Sequence, residues 1–227
     1  TWFRLGDRDL GTCLHRTIRL GEGVGLAAVS DEIRSNLGVV TRILPMSEDP
    51  CPTFVELSGN RRAHFEEYLV RDGAPDQVTA VDLSAAAAAQ PAPGVLEALE
   101  TASAILICPS NPVVSIGPIL EVPGIREAVS ARRASVVAIS PIVGGAPVKG
   151  PADRLLRGVG VEVSARGVAG LYRDLCDGYV LDERDAEQAR DVEALGMRTA
   201  VLDTLMQDAE VAARVAEAAL ALARQSG

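Results

Sequence analysis

Over residues 104–224, short apolar runs alternate with helix-length stretches, and this alternation restricts the fold more than any other feature of the chain. Runs over 104–108, 135–139, 161–163, 179–181 and 198–201 have the length and side chains of strands. The first of them has the continuity of a strand buried on both faces. Helix-length segments lie near 124–131, 152–157, 168–175, 186–195 and 208–224. Repeated βα units imply a largely parallel sheet covered by helices on both sides. The last segment is Ala-rich, with acidic residues early and Arg late, which complements the helix dipole and reads as structural.

The first half follows another pattern. Residues 7–20 place Leu10, Leu14 and Ile18 at helical spacing behind Asp7 and Asp9, whose charges suit a helix start. Leu26, Val29, Ile33 and Leu37 repeat the spacing in a second helix. The glycines of the joint, Gly21, Gly23 and Gly25, follow a helix rather than a strand, which argues against a dinucleotide loop. Residues 53–57 and 62–70 read as a β-hairpin around Ser58-Gly59-Asn60, with a further strand over 77–83. Residues 84–93 form an Ala- and Pro-rich connector before a helix over 95–102. The reading is a single α/β domain over 1–227, with a helical and β-hairpin region over 1–75 and a βα core over 76–227.

A balance of 22 basic against 31 acidic residues gives a net charge of −9, which argues against a general nucleic-acid binder. No apolar run is long enough to span a bilayer, and no signal peptide is visible. Cys13, Cys51, Cys108 and Cys176 have no CxxC spacing and read as reduced thiols of a cytoplasmic protein. The chain starts at Thr1 with apolar Trp2, Phe3 and Leu5, so an upstream segment outside this numbering is expected.

Two loops carry the chemistry. After the strand over 104–108, Pro109, Pro112 and Pro118 stiffen a loop that offers Ser110, Asn111 and Ser115 at a strand's carboxyl end. That is either an anion or nucleotide pocket, or a connector whose Ser and Asn cap the next turn. After the strand over 135–139, Gly144 and Gly145 allow close backbone approach and Lys149 offers a mobile cation. Two such loops at one sheet edge favour a pocket. The acidic turn Met46-Ser47-Glu48-Asp49-Pro50 either binds Mg²⁺ through water or is simply solvated. His15 and His64 form no HExxH, and neither a GxSxG elbow nor a Walker loop is present.

Eight segments in order resemble the 2-phospho-L-lactate transferase (CofD) family of coenzyme F(420) biosynthesis. They are LGDRD (5–9), ILPMSEDP (43–50), HFEEYLV (64–70, read as a strand), PSNPVVSIGPI (109–119), SPIVGGAPVKGPA (140–152), GVEVSARGVA (160–169), LDERD (181–185) and DTLM (203–206). The resemblance implies a Rossmann-like, largely parallel sheet with an inserted αα-hairpin and β-hairpin region. It implies transfer of a phospholactyl or phosphoenolpyruvyl group from a guanosine diphosphate-activated donor to the ribityl hydroxyl of the deazaflavin Fo, with GMP released. Mg²⁺ and a homodimer are expected with it, and neither nucleic acid nor membrane. It implies Ser110, Asn111, Ser115 and Gly117 at the nucleotide, Gly144, Gly145 and Lys149 at the donor's anionic end, and Arg4 at Fo. The family's first strand, Gly-rich phosphate loop and acidic metal ligand are expected upstream of Thr1, so that residues 1–227 alone are not expected to catalyse transfer. The alternative is a non-catalytic regulator of the same fold that binds a nucleotide or nucleotide sugar.

Overall fold

The computed structural model describes residues 2–225. Helices α1 (Asp7–Gly21) and α2 (Leu26–Asn36) form the expected αα-hairpin. Glu32 joins them by accepting from Arg19 Nε at 3.0 Å and NH2 at 2.8 Å. The apolar stripe of α1 stays in solvent: Leu10, Leu14 and Ile18 are all about half exposed, and no α1 residue is buried.

Strands β1 (Phe54–Leu57) and β2 (Arg61–His64) pair antiparallel across the Ser58-Gly59-Asn60 turn, with Leu57 opposite Arg61. β3 (Val78–Asp82) lies on the other side of β1, so the small sheet has the order β2-β1-β3. The strand expected over 62–70 ends at His64. Residues Glu67–Arg71 instead form a π-helical turn closed by Asp72 N–H to Glu67 O at 2.9 Å. Phe65, Tyr68 and Leu69 in fact repeat at helical spacing, and burying Tyr68 completely outweighs the strand preference of Tyr and Val.

After β3 come α3 (Ser84–Ala87), inside the expected connector, and α4 (Val95–Thr101). The βα core then follows as β4 (Ile105–Ile107), α5 (Gly117–Glu121), α6 (Ile125–Ala131), β5 (Val136–Ile139), a small hairpin of β6 (Ile142–Val143) and β7 (Ala146–Pro147), α7 (Ala152–Gly158), α8 (Ala165–Tyr172), β8 (Gly178–Asp182), α9 (Ala189–Glu193), β9 (Arg198–Leu202) and α10 (Ala209–Arg224). All pairings in the main sheet are parallel, in the order β4-β5-β8-β9.

The strand expected over 161–163 does not form. β8 already has β5 and β9 as neighbours, and residues 159–161 close α7 instead: Gly160 takes φ 75° and Val161 N–H donates to Leu156 O at 2.8 Å. α8 begins earlier than expected because Ser164 Oγ accepts the Gly167 N–H at 2.9 Å. The helix expected over 186–195 splits into a 3₁₀ segment, Glu183–Gln188, and α9.

β5 and β8 are buried along their whole length. Their side chains alternate between two faces. Val137, Ile139 and Val180 pack with Val215, Ala219 and Leu222 of α10. Val136, Ala138, Tyr179 and Leu181 face the larger cluster, which includes residues of α5 to α8. β4 is the exception to burial on both faces: it stands at the edge of the sheet, with Ile105 and Leu106 half-buried. Parallel pairing has one consequence for function, since the carboxyl ends of all these strands meet at one edge. No helix among the described residues is long and apolar enough to cross a membrane.

Leu181 has no exposed surface, whereas Val40 is 94% exposed. Leu181→Ala is expected to lower unfolding free energy by about 2–5 kcal/mol, and Val40→Ala by less than about 0.5 kcal/mol, as read by urea denaturation.

Candidate functional site

A cavity of about 900 Å³ opens at the carboxyl edge of the parallel sheet. Its walls come from the loops after β4, β5 and β9, from the β6–β7 hairpin and the loop after it, from Phe65 just before the π-helical turn and from Leu69 within it.

The loop after β4 supplies Pro109, Ser110, Asn111, Val114 and Ser115 to this lining. It is also a cap. Asn111 Oδ1 accepts the N–H groups of Val113 at 2.9 Å and Val114 at 3.2 Å, which starts a π-helical turn over Pro112–Ile116. Pocket and connector are therefore the same loop. The Asn111 carbonyl is committed to the backbone, while its amide NH₂ has no partner among the described residues. Gly117 does not line the cavity. It begins α5, where an added Cβ would lie 3.1 Å from the Pro112 carbonyl oxygen, so its part is to let the turn and helix pack closely.

The loop after β5 begins with Ser140, which is 1% exposed. Its N–H continues the ladder to Val180 O at 2.8 Å, and its hydroxyl donates to Ile142 O at 3.0 Å. Val143, Pro147, Val148 and Lys149 follow along the cavity wall. Lys149 is exposed and makes no ion pair among the described residues. Gly144 and Gly145 lie outside the lining, and their N–H groups donate to the Asp185 carboxylate at 2.8 and 2.9 Å. Arg4 is exposed on the segment before α1 and does not line the cavity.

The loop after β9 contributes Thr204, Leu205, Met206 and Gln207. Thr204 is fixed from below by Asp182, the last residue of β8. Its N–H and hydroxyl donate to Asp182 Oδ2 at 2.8 and 2.9 Å. Oδ1 accepts from Arg184 N–H at 3.0 Å and Arg184 NH1 at 2.9 Å. Burial alone would push the Asp182 carboxyl up, but these hydrogen bonds outweigh it and hold the group below the usual carboxylate range.

The lining thus combines apolar Phe65, Leu69, Val114 and Met206 with polar Ser110, Ser115, Thr204 and Lys149. No carboxylate borders it, which leaves Lys149 as a local positive charge in an acidic protein. Such a cavity suits an anion carrying a flat or apolar portion.

The family model for 2-phospho-L-lactate transferase CofD matches residues 2–220. The chain belongs to the CofD family. It is 50% identical to a phosphoenolpyruvate transferase of Kitasatospora aureofaciens, over 99% of this chain and 71% of that protein. It is 46% identical to a phosphoenolpyruvate transferase of Streptomyces coelicolor, over 99% of this chain and 72% of the other. A 2-phospho-L-lactate transferase of Methanosarcina mazei is 42% identical, over 94% of this chain and 70% of its own length. Among solved structures, protein BH3568 of Bacillus halodurans shares the fold, with a TM-score of 0.63 at 21% identity over 91% of this chain and 70% of that one.

The described residues do not by themselves form a Mg²⁺ site. Among the described residues no three His, Cys, Asp or Glu side chains gather as a metal site. The two buried carboxylates near the CofD cavity, Asp182 and Asp185, have their oxygens engaged by N–H and O–H donors.

No local pattern in the sequence marks Phe65, Leu69, Ser140, Thr204, Met206 or Gln207 as site residues. Reading 64–70 as a strand hides the helical spacing of Phe65 and Leu69. Asp182, Asp185 and Thr204 lie within the LDERD and DTLM segments, but nothing local says that those segments meet.

Because the Asp182 carboxyl is held low, it contributes stability that is present above its unfolded value of about 3.9. That stability is lost as pH falls through the folded value. Asp182→Asn is expected to cost about 2 kcal/mol at pH 7. It should also show a shallower loss than the parent protein between pH 4 and lower pH, as read by denaturation at a series of pH values.

Proposed function

We propose that this protein transfers a phosphoenolpyruvyl group, or its phospholactyl counterpart, from a guanosine diphosphate-activated donor to the terminal ribityl hydroxyl of the deazaflavin Fo, as a transferase of coenzyme F(420) biosynthesis. The observation that carries the reading is the cavity at the sheet edge of a CofD-family chain, lined by Lys149, Ser110, Asn111, Ser115 and apolar side chains. Identity of 44–50% to phosphoenolpyruvate transferases, against 40–43% to 2-phospho-L-lactate transferases, favours the enolpyruvyl group.

In the proposed step the Fo hydroxyl oxygen bonds to the phosphorus that bears the enolpyruvyl group. The bond from that phosphorus to the bridging oxygen breaks, GMP leaves with the electron pair, and the hydroxyl proton is released. Such a transfer asks the protein chiefly for alignment and for cancellation of negative charge. Ser110, Ser115 and the amide NH₂ of Asn111 would donate to the guanosine diphosphate part, and Lys149 would neutralise its anionic end. Phe65 and Met206 would offer the apolar wall to a ring. Arg4 is the proposed contact to Fo from the segment before α1. Gly117, Gly144 and Gly145 act through the shape of their loops. Mg²⁺ and a homodimer belong to the proposal, and Mg²⁺ is assigned no ligand among the described residues.

Calorimetric titration with GDP, with Fo and with a nucleotide sugar tests the reading. Binding of both GDP and Fo is expected, with GDP binding weakened about tenfold by Lys149→Ala. A protein that binds the nucleotide sugar but not Fo is the regulator instead.

A further inference from the structure

The turn between β6 and β7 places Gly144 at φ 60° and Gly145 at φ 76°, two successive left-handed residues that only a two-residue hairpin turn brings together readily. Their N–H groups converge, and such a pair of amides forms a cradle for an anion. Here the anion is the protein's own. Gly144 N–H donates to Asp185 Oδ2 at 2.8 Å and Gly145 N–H to Asp185 Oδ1 at 2.9 Å. Gln188 Nε2 adds a third donor to Oδ1 at 3.3 Å. Asp185 is 1% exposed and stands at φ −113°, ψ 18°, a break in the 3₁₀ segment that turns its carboxylate toward the hairpin.

The base of the hairpin is anchored, since Ile142 is buried in the core and bonds the Ser140 hydroxyl through its N–H and carbonyl, whereas Gly144, Gly145 and Ala146 at the tip are exposed. Each of its strands is two residues long, with Ile142 opposite Pro147 and Val143 opposite Ala146. A ladder of that length does not hold a position by itself. Yet Val143, Pro147, Val148 and Lys149 are one wall of the cavity. We propose that Asp185 is a positioning residue that clamps the β6–β7 turn and so holds Lys149 where the anionic end of a nucleoside diphosphate sits. This rests on the donor site proposed above. The carboxylate lies behind the turn, satisfied by three N–H donors, so its charge is shielded from an arriving phosphate.

Asp185→Asn keeps the size of the side chain but exchanges one acceptor oxygen for an NH₂ group, so one glycine N–H meets a donor. Two readouts test the clamp. Hydrogen exchange at Gly144 and Gly145 is expected to quicken at least about tenfold, while the β5 and β8 amides keep the parent protection. GDP is expected to bind about tenfold more weakly by titration calorimetry. Gln188→Ala, which leaves both glycine contacts in place, should produce a smaller change in the same direction. The decisive comparison is a double-mutant cycle. In a Lys149→Ala background, Asp185→Asn should weaken GDP binding by less than about threefold, because the residue acts through the lysine. A general loss of structure would instead add its full effect in both backgrounds. The inference is overturned if exchange quickens with GDP affinity unchanged, if neither readout moves, or if the two substitutions are additive. Parent protein that binds no GDP overturns the donor site itself and this inference with it. Parent protein that binds GDP as tightly as Asp185→Asn overturns only the role of Asp185.

Discussion

The carboxyl end of β8 is where the edge of this sheet is assembled. Asp182 and Asp185 are both buried, and each reaches a loop that follows a neighbouring strand. Asp182 takes the N–H and hydroxyl of Thr204 after β9, and Asp185 takes the paired N–H groups of the hairpin after β5. A buried carboxylate left unpaired would be very costly, so each demands donors, and loop backbones have donors to give. The exchange ties these loops to the end of β8 beyond the last pairs of the main ladder. It also keeps both negative charges behind the cavity wall rather than in it.

The loop after β4 uses a neutral version of the same device. The Asn111 carbonyl starts the π-helical turn over Pro112–Ile116, and that turn carries Val114 and Ser115 to the cavity. Capping and binding need not compete, because the carbonyl and the amide of one side chain point to different tasks. The cavity is thus framed by short irregular turns pinned by side-chain acceptors, at the edge of a sheet whose two central strands, β5 and β8, are buried on both faces.

Most of the fold could be read from the chain. The apolar runs that became β4, β5, β8 and β9, and the periodic stretches that became α1, α2, α7 and α10, are local patterns with local causes. The failures have a common cause too. Residues 161–163 look like a strand, but strandness needs a partner, and β8 had none to offer. Residues 64–70 contain good strand formers, yet Phe65, Tyr68 and Leu69 bury better on a helical turn. In both places the environment outweighed propensity.

By itself the sequence determined a parallel α/β core, an αα-hairpin, the family-like order of its segments, and two loops rich in Ser, Asn, Gly and Lys at strand ends. These follow from periodicity and turn chemistry, which act over a few residues. Only the tertiary structure decided that Gly144 and Gly145 face Asp185 rather than a ligand, that Thr204 hangs from Asp182, and that Phe65 joins the cavity from the helical segment after β2. Those pairings span 22 to 41 residues of chain. No local pattern encodes them, because the donors and the carboxylates are brought together only when the strands take their places in the sheet.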